Sequence, residues 1–207
     1  MKRIAIAMPL LLALLLAGCQ SGNQGSYETA MPSDDMAAHE MPWTTLFDGS
    51  SLDGWRTLGD ANWHIVEDYV EADSGDGYLV TNNTYGDFHL KLEFWTDPDA
   101  NSGVFLRCSN PEDIGAASAY EVNIYDKRPD PAYRTGGIVN VASPMAQIDA
   151  AGKWNTYEIS AEGPRLTVRL NGVLTVDARD EKYASGPIAL QHGAGIVRFR
   201  NVQIMAH

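Results

Sequence analysis

Apolar and polar residues alternate with a period of two through most of this 207-residue chain, from Pro42 onward. The clearest run covers residues 88–95. One face of this run carries Phe88, Leu90, Leu92 and Phe94, and the other carries His89, Lys91, Glu93 and Trp95. Such alternation predicts a β-strand with one buried and one exposed face.

Two shorter runs, at residues 103–107 and 120–125, have the same pattern. We expect their inward side chains to be Val104, Leu106, Val122 and Ile124. The outward side chains are then Phe105, Arg107, Glu121, Asn123 and Tyr125. These outward residues combine aromatic rings with charged and amide groups, which is unusual for a plain solvated sheet surface.

Further strands are predicted at residues 63–66, 154–161, 166–170, 173–176, 187–192 and 196–205. Asn171-Gly172 separates two of these runs and is a strong signal for a two-residue hairpin turn. Residues 20–207 contain no convincing helical stripe. Many short strands with turn residues between them predict an all-β fold, a two-sheet antiparallel sandwich or jelly roll.

The first 19 residues have a different pattern. Lys2 and Arg3 precede an apolar run from Ile4 to Leu16, and small residues then lead to Cys19. This arrangement resembles a bacterial lipoprotein signal, which implies removal of residues 1–18 and acylation of Cys19. Gln20 follows where an inner-membrane retention signal usually has Asp, so we expect anchoring in the outer membrane of the cell envelope. The alternative is an ordinary cleaved signal with a chance cysteine.

Residues 19–41 then form the lipidated cysteine and a flexible tether, and residues 42–207 form one domain. The formal net charge of −12 argues against nucleic acid and against electrostatic docking to anionic lipid. We therefore expect an uncharged ligand, and contact with the membrane only through the N-terminal lipid. Once Cys19 is lipidated, Cys108 is the one remaining cysteine, so no intrachain disulfide is expected.

A sugar is the ligand that the outward residues suit best. Its apolar ring faces stack on aromatic rings, and its hydroxyls need fixed donors and acceptors. The outward set consists of Glu93, Trp95, Phe105, Arg107, Glu121, Asn123 and Tyr125. For any one of these residues alone, a solvated or cross-strand charge pair is the competing interpretation.

The domain resembles the 3-keto-disaccharide hydrolase domain family. The resemblance rests on LFDGSSLDGW at 46–55, GYLVT at 77–81, YGDF at 85–88, NSGVFLR at 101–107, YEVNI at 120–124, TGGI at 135–138, GKWN at 152–155, LNG at 170–172, IALQHG at 188–193 and VRFRNV at 197–202. It implies a concanavalin-like jelly roll with the ligand on the concave sheet, and cleavage of glycosides already oxidised to a ketone at C3.

Such a ketone acidifies the hydrogen at C2, so the chemistry needs a base, a partner for the enolate oxygen and help for the leaving group. We expect Glu121 to be the base and Arg107 the electrostatic stabiliser, with His192 or Glu93 assisting departure. The expected sugar contacts are Asn101, Phe105, Asn123, Tyr125, Trp95 and Gln191.

Two other functions stay open. One is a carbohydrate-binding lipoprotein without turnover. The other is direct hydrolysis by a carboxylate pair, as in laminarinase-like jelly rolls, but Asp126 is at the wrong spacing from Glu121 to share its face.

Residues 97–101 have oxygen ligands at alternate positions, as a calcium loop would, but we interpret them as a turn between two strands. The sequence assigns no cofactor, and it leaves a divalent metal requirement and the oligomeric state open.

Replacing Cys19 by Ser should prevent lipid attachment and move the protein out of the membrane fraction, because the thiol is the acylated group. Fractionation with metabolic labelling by a fatty acid measures both effects. A Cys19→Ser protein that still partitions with membranes would contradict the lipoprotein interpretation.

Overall fold

The computed structural model describes residues 42–207, so the predicted signal, Cys19 and the tether lie outside the described residues. The described part consists of thirteen strands and one short 3₁₀ turn, Pro131–Tyr133. Within it, no helix has the length and apolar character needed to span a membrane. The strands are β1 (Thr44–Phe47), β2 (Trp55–Gly59), β3 (His64–Val66), β4 (Tyr69–Ala72), β5 (Gly77–Thr81), β6 (Phe88–Thr96), β7 (Asn101–Leu106), β8 (Tyr120–Ile124), β9 (Asn155–Glu162), β10 (Arg165–Leu170), β11 (Val173–Arg179), β12 (Ala189–Ala194) and β13 (Val197–Ala206).

The strands form two antiparallel sheets. The larger sheet has the order β11-β10-β9-β6-β13-β4-β3, and β1 also pairs with β13, which gives eight strands. The smaller sheet has five strands in the order β2-β5-β12-β7-β8. The predicted all-β, two-sheet sandwich is therefore confirmed.

The core lies between the sheets and is built from the alternating apolar residues. The inward residues of β6, β7 and β8 are all almost fully buried: Phe88, Leu90, Leu92, Phe94, Val104, Leu106, Val122 and Ile124. Each such side chain contributes about 1.5–3 kcal/mol relative to an exposed position. The predicted inner faces of these three strands are confirmed, because a one-residue shift would expose the whole apolar set.

The turns agree with the sequence as well. Asn171 and Gly172 join β10 to β11 with φ angles of 52° and 79°, which a type I′ hairpin requires at its two central positions. Residues 97–100 form the turn between β6 and β7, where the amide of Asp99 donates to the Asp97 carboxylate at 3.0 Å. The turn interpretation of this segment is confirmed.

Arg107 is the first departure from expectation, because its side chain is only 2% exposed. Its Nε donates to the carbonyl of Gly86 at 2.8 Å, and Nη1 donates to the carbonyls of Gly163 at 2.8 Å and Tyr183 at 3.2 Å. Its Nη2 donates to the Asp87 carboxylate at 2.8 Å. The prediction that Arg107 points outward is wrong. Arg107 has a left-handed backbone (φ 52°) just beyond the end of β7, and its guanidinium lies where three loops meet.

Replacing Arg107 by Met should lower the free energy of unfolding by about 3 kcal/mol, because three carbonyls would lose their buried donors. Asp87→Asn is the matched control: it keeps an acceptor oxygen in a half-exposed position and should cost under about 1 kcal/mol. Urea denaturation measures both variants. Equal losses in the two would show that the interaction with Asp87 alone stabilises the junction.

Candidate carbohydrate site on the five-stranded sheet

The outer face of the five-stranded sheet brings together most of the expected sugar contacts. Phe105 lies opposite Glu121, and Gly103 lies between Asn123 on one side and Gln191 on the other. Residues that the structure places on this face, or directly after its strand, are Asn101, Phe105, Glu121, Asn123, Tyr125 and Gln191. The next strand across contributes Tyr78, opposite Gln191, which the sequence analysis did not single out.

Glu121 has the most unusual electrostatics on this face. Burial raises the pKa of its carboxyl from 4.5 to about 7, and the positive charge of Arg128 opposes the rise. Among residues 42–207, no hydrogen-bond donor or cation pairs with the Glu121 carboxylate. A carboxyl whose pKa lies near neutrality, and which is not occupied by a protein partner, is suited to proton transfer.

Gly103 keeps space open beside this carboxylate. A Cβ at position 103 would lie 3.3 Å from the Phe105 ring and 3.4 Å from Glu121 Cγ. Any side chain here would therefore fill the surface between β7 and β8, where a ligand would approach Glu121.

Gln191 and Tyr78 lie on the same face, on the other side of Gly103 from Asn123. The Tyr78 hydroxyl donates to the carbonyl of Ile114 at 2.9 Å, and Gln191 Nε2 lies 3.5 Å from that hydroxyl. Burial raises the pKa of Tyr78 to about 12. The Oε1 atom of Gln191 is buried and has no partner among the described residues. Since buried acceptors are nearly always paired, we expect a water or a ligand hydroxyl to donate to Gln191 Oε1.

The loop after β8 carries a cation, Arg128, whose charge acts on Glu121. Arg128 lies between two rings, with its guanidinium carbon 5.7 Å from the centre of Tyr125 and 5.8 Å from that of Tyr133. Within residues 42–207 this guanidinium has no ion-pair partner. Period-two reasoning does not reach loops, so the sequence analysis could not have placed Arg128 near Glu121.

Asp126 and Asn123 both order this loop, and Asn123, although its strand position is on the outer face, lies covered beneath the loop and is not available to a sugar. Asp126 accepts from Thr135 Oγ1 at 2.5 Å and from the amides of Ala150 and Ala151 at 2.7 and 2.9 Å. Asn123 is fully buried, and its Nδ2 donates to the carbonyl of Tyr133. Asn123 is therefore placed as a positioning residue beneath the loop.

Phe105 points outward as predicted but is only 1% exposed. It packs with Val80, Ile114 and Ala119 under the loop that follows β7. The Tyr78 ring meets it edge-on at 5.3 Å. The expectation that a sugar stacks on Phe105 is wrong, because a loop of the same chain already covers the ring.

Glu93 and Trp95 lie on the outer face of the other sheet, so the prediction that they share a face with Glu121 is wrong. Glu93 accepts from Arg200 Nε at 2.8 Å and from Asn201 Nδ2 at 2.9 Å, and Arg198 lies 4.3 Å from the Trp95 ring centre. Alternation fixes the two sides of a strand but does not say which sheet the strand joins.

His192 faces inward, opposite Ser102, and is 1% exposed. Its Nδ1 lies 3.0 Å from the carbonyl of Gly75, and Nε2 lies 2.9 Å from that of Gly195. The structure therefore separates His192 from the outer face that carries Glu121. Both ring nitrogens are occupied by backbone carbonyls of the adjoining loops.

A sequence model of the 3-keto-alpha-glucoside-1,2-lyase-like domain matches residues 42–205. The chain is similar to a 3-keto-disaccharide hydrolase of Bacteroides thetaiotaomicron, 28% identical over 106 residues, or 42% of this chain and 37% of that protein. It is also similar to a levanase of Bacillus subtilis, 24% identical over 164 residues, or 77% of this chain and 24% of that enzyme. The matched segments thus span well under half the length of either relative.

Solved structures have the same fold. A candidate glycosyl hydrolase from Parabacteroides distasonis superposes with a TM-score of 0.72 at 19% identity, covering 80% of this chain and 94% of that one. The carbohydrate-binding module CBM66 from Bacillus subtilis superposes with a TM-score of 0.60 at 20% identity, covering 74% and 96%. Sandwiches of this kind therefore occur both in candidate hydrolases and in a sugar-binding module.

Replacing Glu121 by Gln should stabilise the protein in a pH-dependent way. The folded-state pKa is raised, so wild type carries no penalty below about pH 4.5 and loses stability as the pH rises from there to about 7. Above pH 7 the variant should be more stable by about 2–3 kcal/mol, which is less than the full pKa shift implies at about 1.4 kcal/mol per unit, because the carboxyl is partly exposed and solvent screens its charge. Urea denaturation at pH 4.5 and pH 8 measures the difference. A gap of equal size at both pH values would contradict a Glu121 carboxyl whose pKa is raised by burial.

Proposed function

We propose that this chain cleaves glycosides whose sugar carries a ketone at C3. The premise is that the chain belongs to the 3-keto-alpha-glucoside-1,2-lyase-like domain family. The family and its relatives support a carbohydrate-directed function. The observation that carries the proposal is the Glu121 carboxyl, with a pKa near 7 and no protein partner among the described residues. We also propose that the protein works in the cell envelope, anchored through Cys19.

The reaction begins with removal of a proton from C2, which the neighbouring ketone acidifies. The electron pair moves to give an enolate with its negative charge on the C3 oxygen. Re-formation of the carbonyl expels the C1 substituent with the glycosidic oxygen, which takes up a proton. Water then adds across the C1–C2 double bond, with its oxygen bonding to C1 and a proton returning to C2, so the net change is hydrolysis.

Glu121 is the base in this scheme, because a carboxylate with a pKa near 7 is ionised at physiological pH and still basic enough to accept a carbon-bound proton. Arg128 replaces Arg107 as the cation that stabilises the enolate oxygen. The amides of Asn101 and Gln191 lie on the same face and would bind hydroxyl groups. Tyr125 offers a half-buried ring for the apolar face of the sugar.

A second candidate is a carbohydrate-binding module without turnover. It is favoured by the likeness to CBM66 and by the levanase match, which covers 24% of that enzyme. Both candidates use the same face, but only the hydrolase requires an ionised Glu121. Direct hydrolysis of unoxidised glycosides by a carboxylate pair has weaker support, because Asp126 is held by three donors in the loop.

Incubation with a 3-keto-glucoside and its unoxidised parent separates these functions. Release from the keto compound alone supports elimination, release from both indicates an ordinary glycosidase, and binding without release indicates a module. Turnover of the keto compound should rise with pH through about 7 as Glu121 ionises. Glu121→Gln should lower kcat about a hundredfold or more and leave sugar affinity nearly unchanged.

Glu93→Gln is the matched control, because it makes the same change on the opposite sheet and should retain turnover. Exchange of the C2 hydrogen with solvent deuterium should occur in wild type and be lost in Glu121→Gln. Arg128→Gln should lower kcat while exchange slows in parallel, since the enolate loses its cation. Full turnover in Glu121→Gln would show that the base lies elsewhere.

A further inference from the structure

We propose that His89, Glu162 and His207 bind a divalent transition-metal ion such as Zn²⁺ on the outer face of the eight-stranded sheet. One ligand atom from each residue lies within 4.8 Å of the others. This position is on the sheet opposite Glu121, so the proposal does not depend on the proposed reaction.

Three neighbouring strands place these side chains together. His89 on β6 pairs with Ser160 on β9 and with Met205 on β13. Glu162 is two residues beyond Ser160, and His207 is two residues beyond Met205, so period two directs both to the face of His89. The His207 amide donates to the carbonyl of Asp87 at 3.0 Å, which fixes the backbone just after β13.

The side chains already approach one another. His89 Nε2 lies 2.9 Å from Glu162 Oε1, and the His89 and His207 rings are 5.2 Å apart between centres. His89 and Glu162 are 37% and 48% exposed, so an ion can reach them from solvent. Two imidazoles and one carboxylate form a donor set that suits Zn²⁺ and leaves a fourth position for water or a bound ligand.

Nearby positive charge does not prevent a cation from binding. Arg165, directly opposite Glu162 in the β9–β10 pair, is held by both carboxylate oxygens of Asp177 at 3.0 and 2.8 Å. Lys91 lies two residues along β6 from His89 and is opposite Glu158. The positive groups on either side of the three ligands therefore face acidic partners.

A second cluster with histidine, at His64, Glu71 and Asp73, serves as a comparison. Its carboxylates are occupied: Glu71 accepts from Arg198 at 2.5 Å, and Asp73 accepts from Asn62 and Ser74 at 3.0 and 2.9 Å. An arginine beside Glu71 would also repel an incoming cation. The geometry thus favours the first cluster and disfavours the second.

Two of the proposed metal ligands, His89 and Glu162, line an open groove of about 650 Å³ on this face. The groove also carries Lys91, Ser160, Thr167 and Met205. A bound ion at its rim would present an open coordination position to a ligand with oxygen donors. The metal would therefore give the eight-stranded sheet a binding centre separate from the Glu121 face.

Calorimetric titration of the protein, purified without a histidine tag, with ZnCl₂ tests the proposal. We expect one Zn²⁺ per chain, a raised melting temperature with Zn²⁺ but not with Mg²⁺, and X-ray absorption typical of imidazole and oxygen ligands. His89→Ala, His207→Ala and Glu162→Gln should each weaken binding about tenfold or more. His64→Ala is the matched control and should bind as wild type does.

All of these changes are at exposed or half-exposed positions, and circular dichroism without metal establishes that each variant is folded. Absence of saturable Zn²⁺ binding by the folded wild type would overturn the proposal. Equal weakening in His64→Ala and His89→Ala would also overturn it, because the metal would then bind histidines without regard to this cluster. Neither result would bear on cleavage of a keto-glycoside, which is measured separately.

Discussion

The buried positive charge of Arg107 orders the loops at one end of the sandwich, and these loops determine which part of the outer surface is covered. Arg107 joins the loops at residues 86–87, 163 and 183 through four hydrogen bonds. Its left-handed backbone ends β7 and sends the following loop over the outer face of the five-stranded sheet. Gly186 permits this path, because a Cβ there would lie 2.3 Å from the carbonyl oxygen of Cys108. The covering loop buries Phe105 and leaves the part of the face around Glu121 open.

Asp126 and Glu121, five positions apart, differ in the hydrogen-bond donors that their carboxylates receive. Asp126 takes three donors and so orders the segment that carries Arg128. Glu121 receives none from residues 42–207, so burial raises the pKa of its carboxyl, opposed by the positive charge of Arg128. The raised pKa means that ionisation of Glu121 lowers folded stability. A donor aimed at Glu121 would stabilise the carboxylate and reduce its basicity.

The sequence predicted the inner face of the strands well, because burial of one side is a local property of a period-two run. It could not assign Glu93 and Glu121 to different sheets, since sheet membership depends on pairing between distant segments. It also missed β1, β2, β4 and β5, which are only four or five residues long. Three of them, β2, β4 and β5, contain glycine or charged residues, and β5 and β4 pair with the longer strands β12 and β13. Arg128 was not found because loop positions carry no periodic signal.

The two outer faces differ in how many of their charged and polar groups have a protein partner. On one half of the eight-stranded sheet, Arg198 pairs with Glu71 and lies over the Trp95 ring, while Arg200 pairs with Glu93 and lies 4.0 Å from the centre of Trp154. Every group in that network already has a protein partner, which is typical of a stabilising surface. Around Glu121, the carboxylate and the buried Gln191 amide oxygen have no protein partner in residues 42–207, and the Arg128 guanidinium contacts two tyrosine rings but has no ion-pair partner there. A buried polar group without a partner is costly unless water or a ligand completes it, and this is the observation that supports the proposal of a carbohydrate site on the Glu121 face.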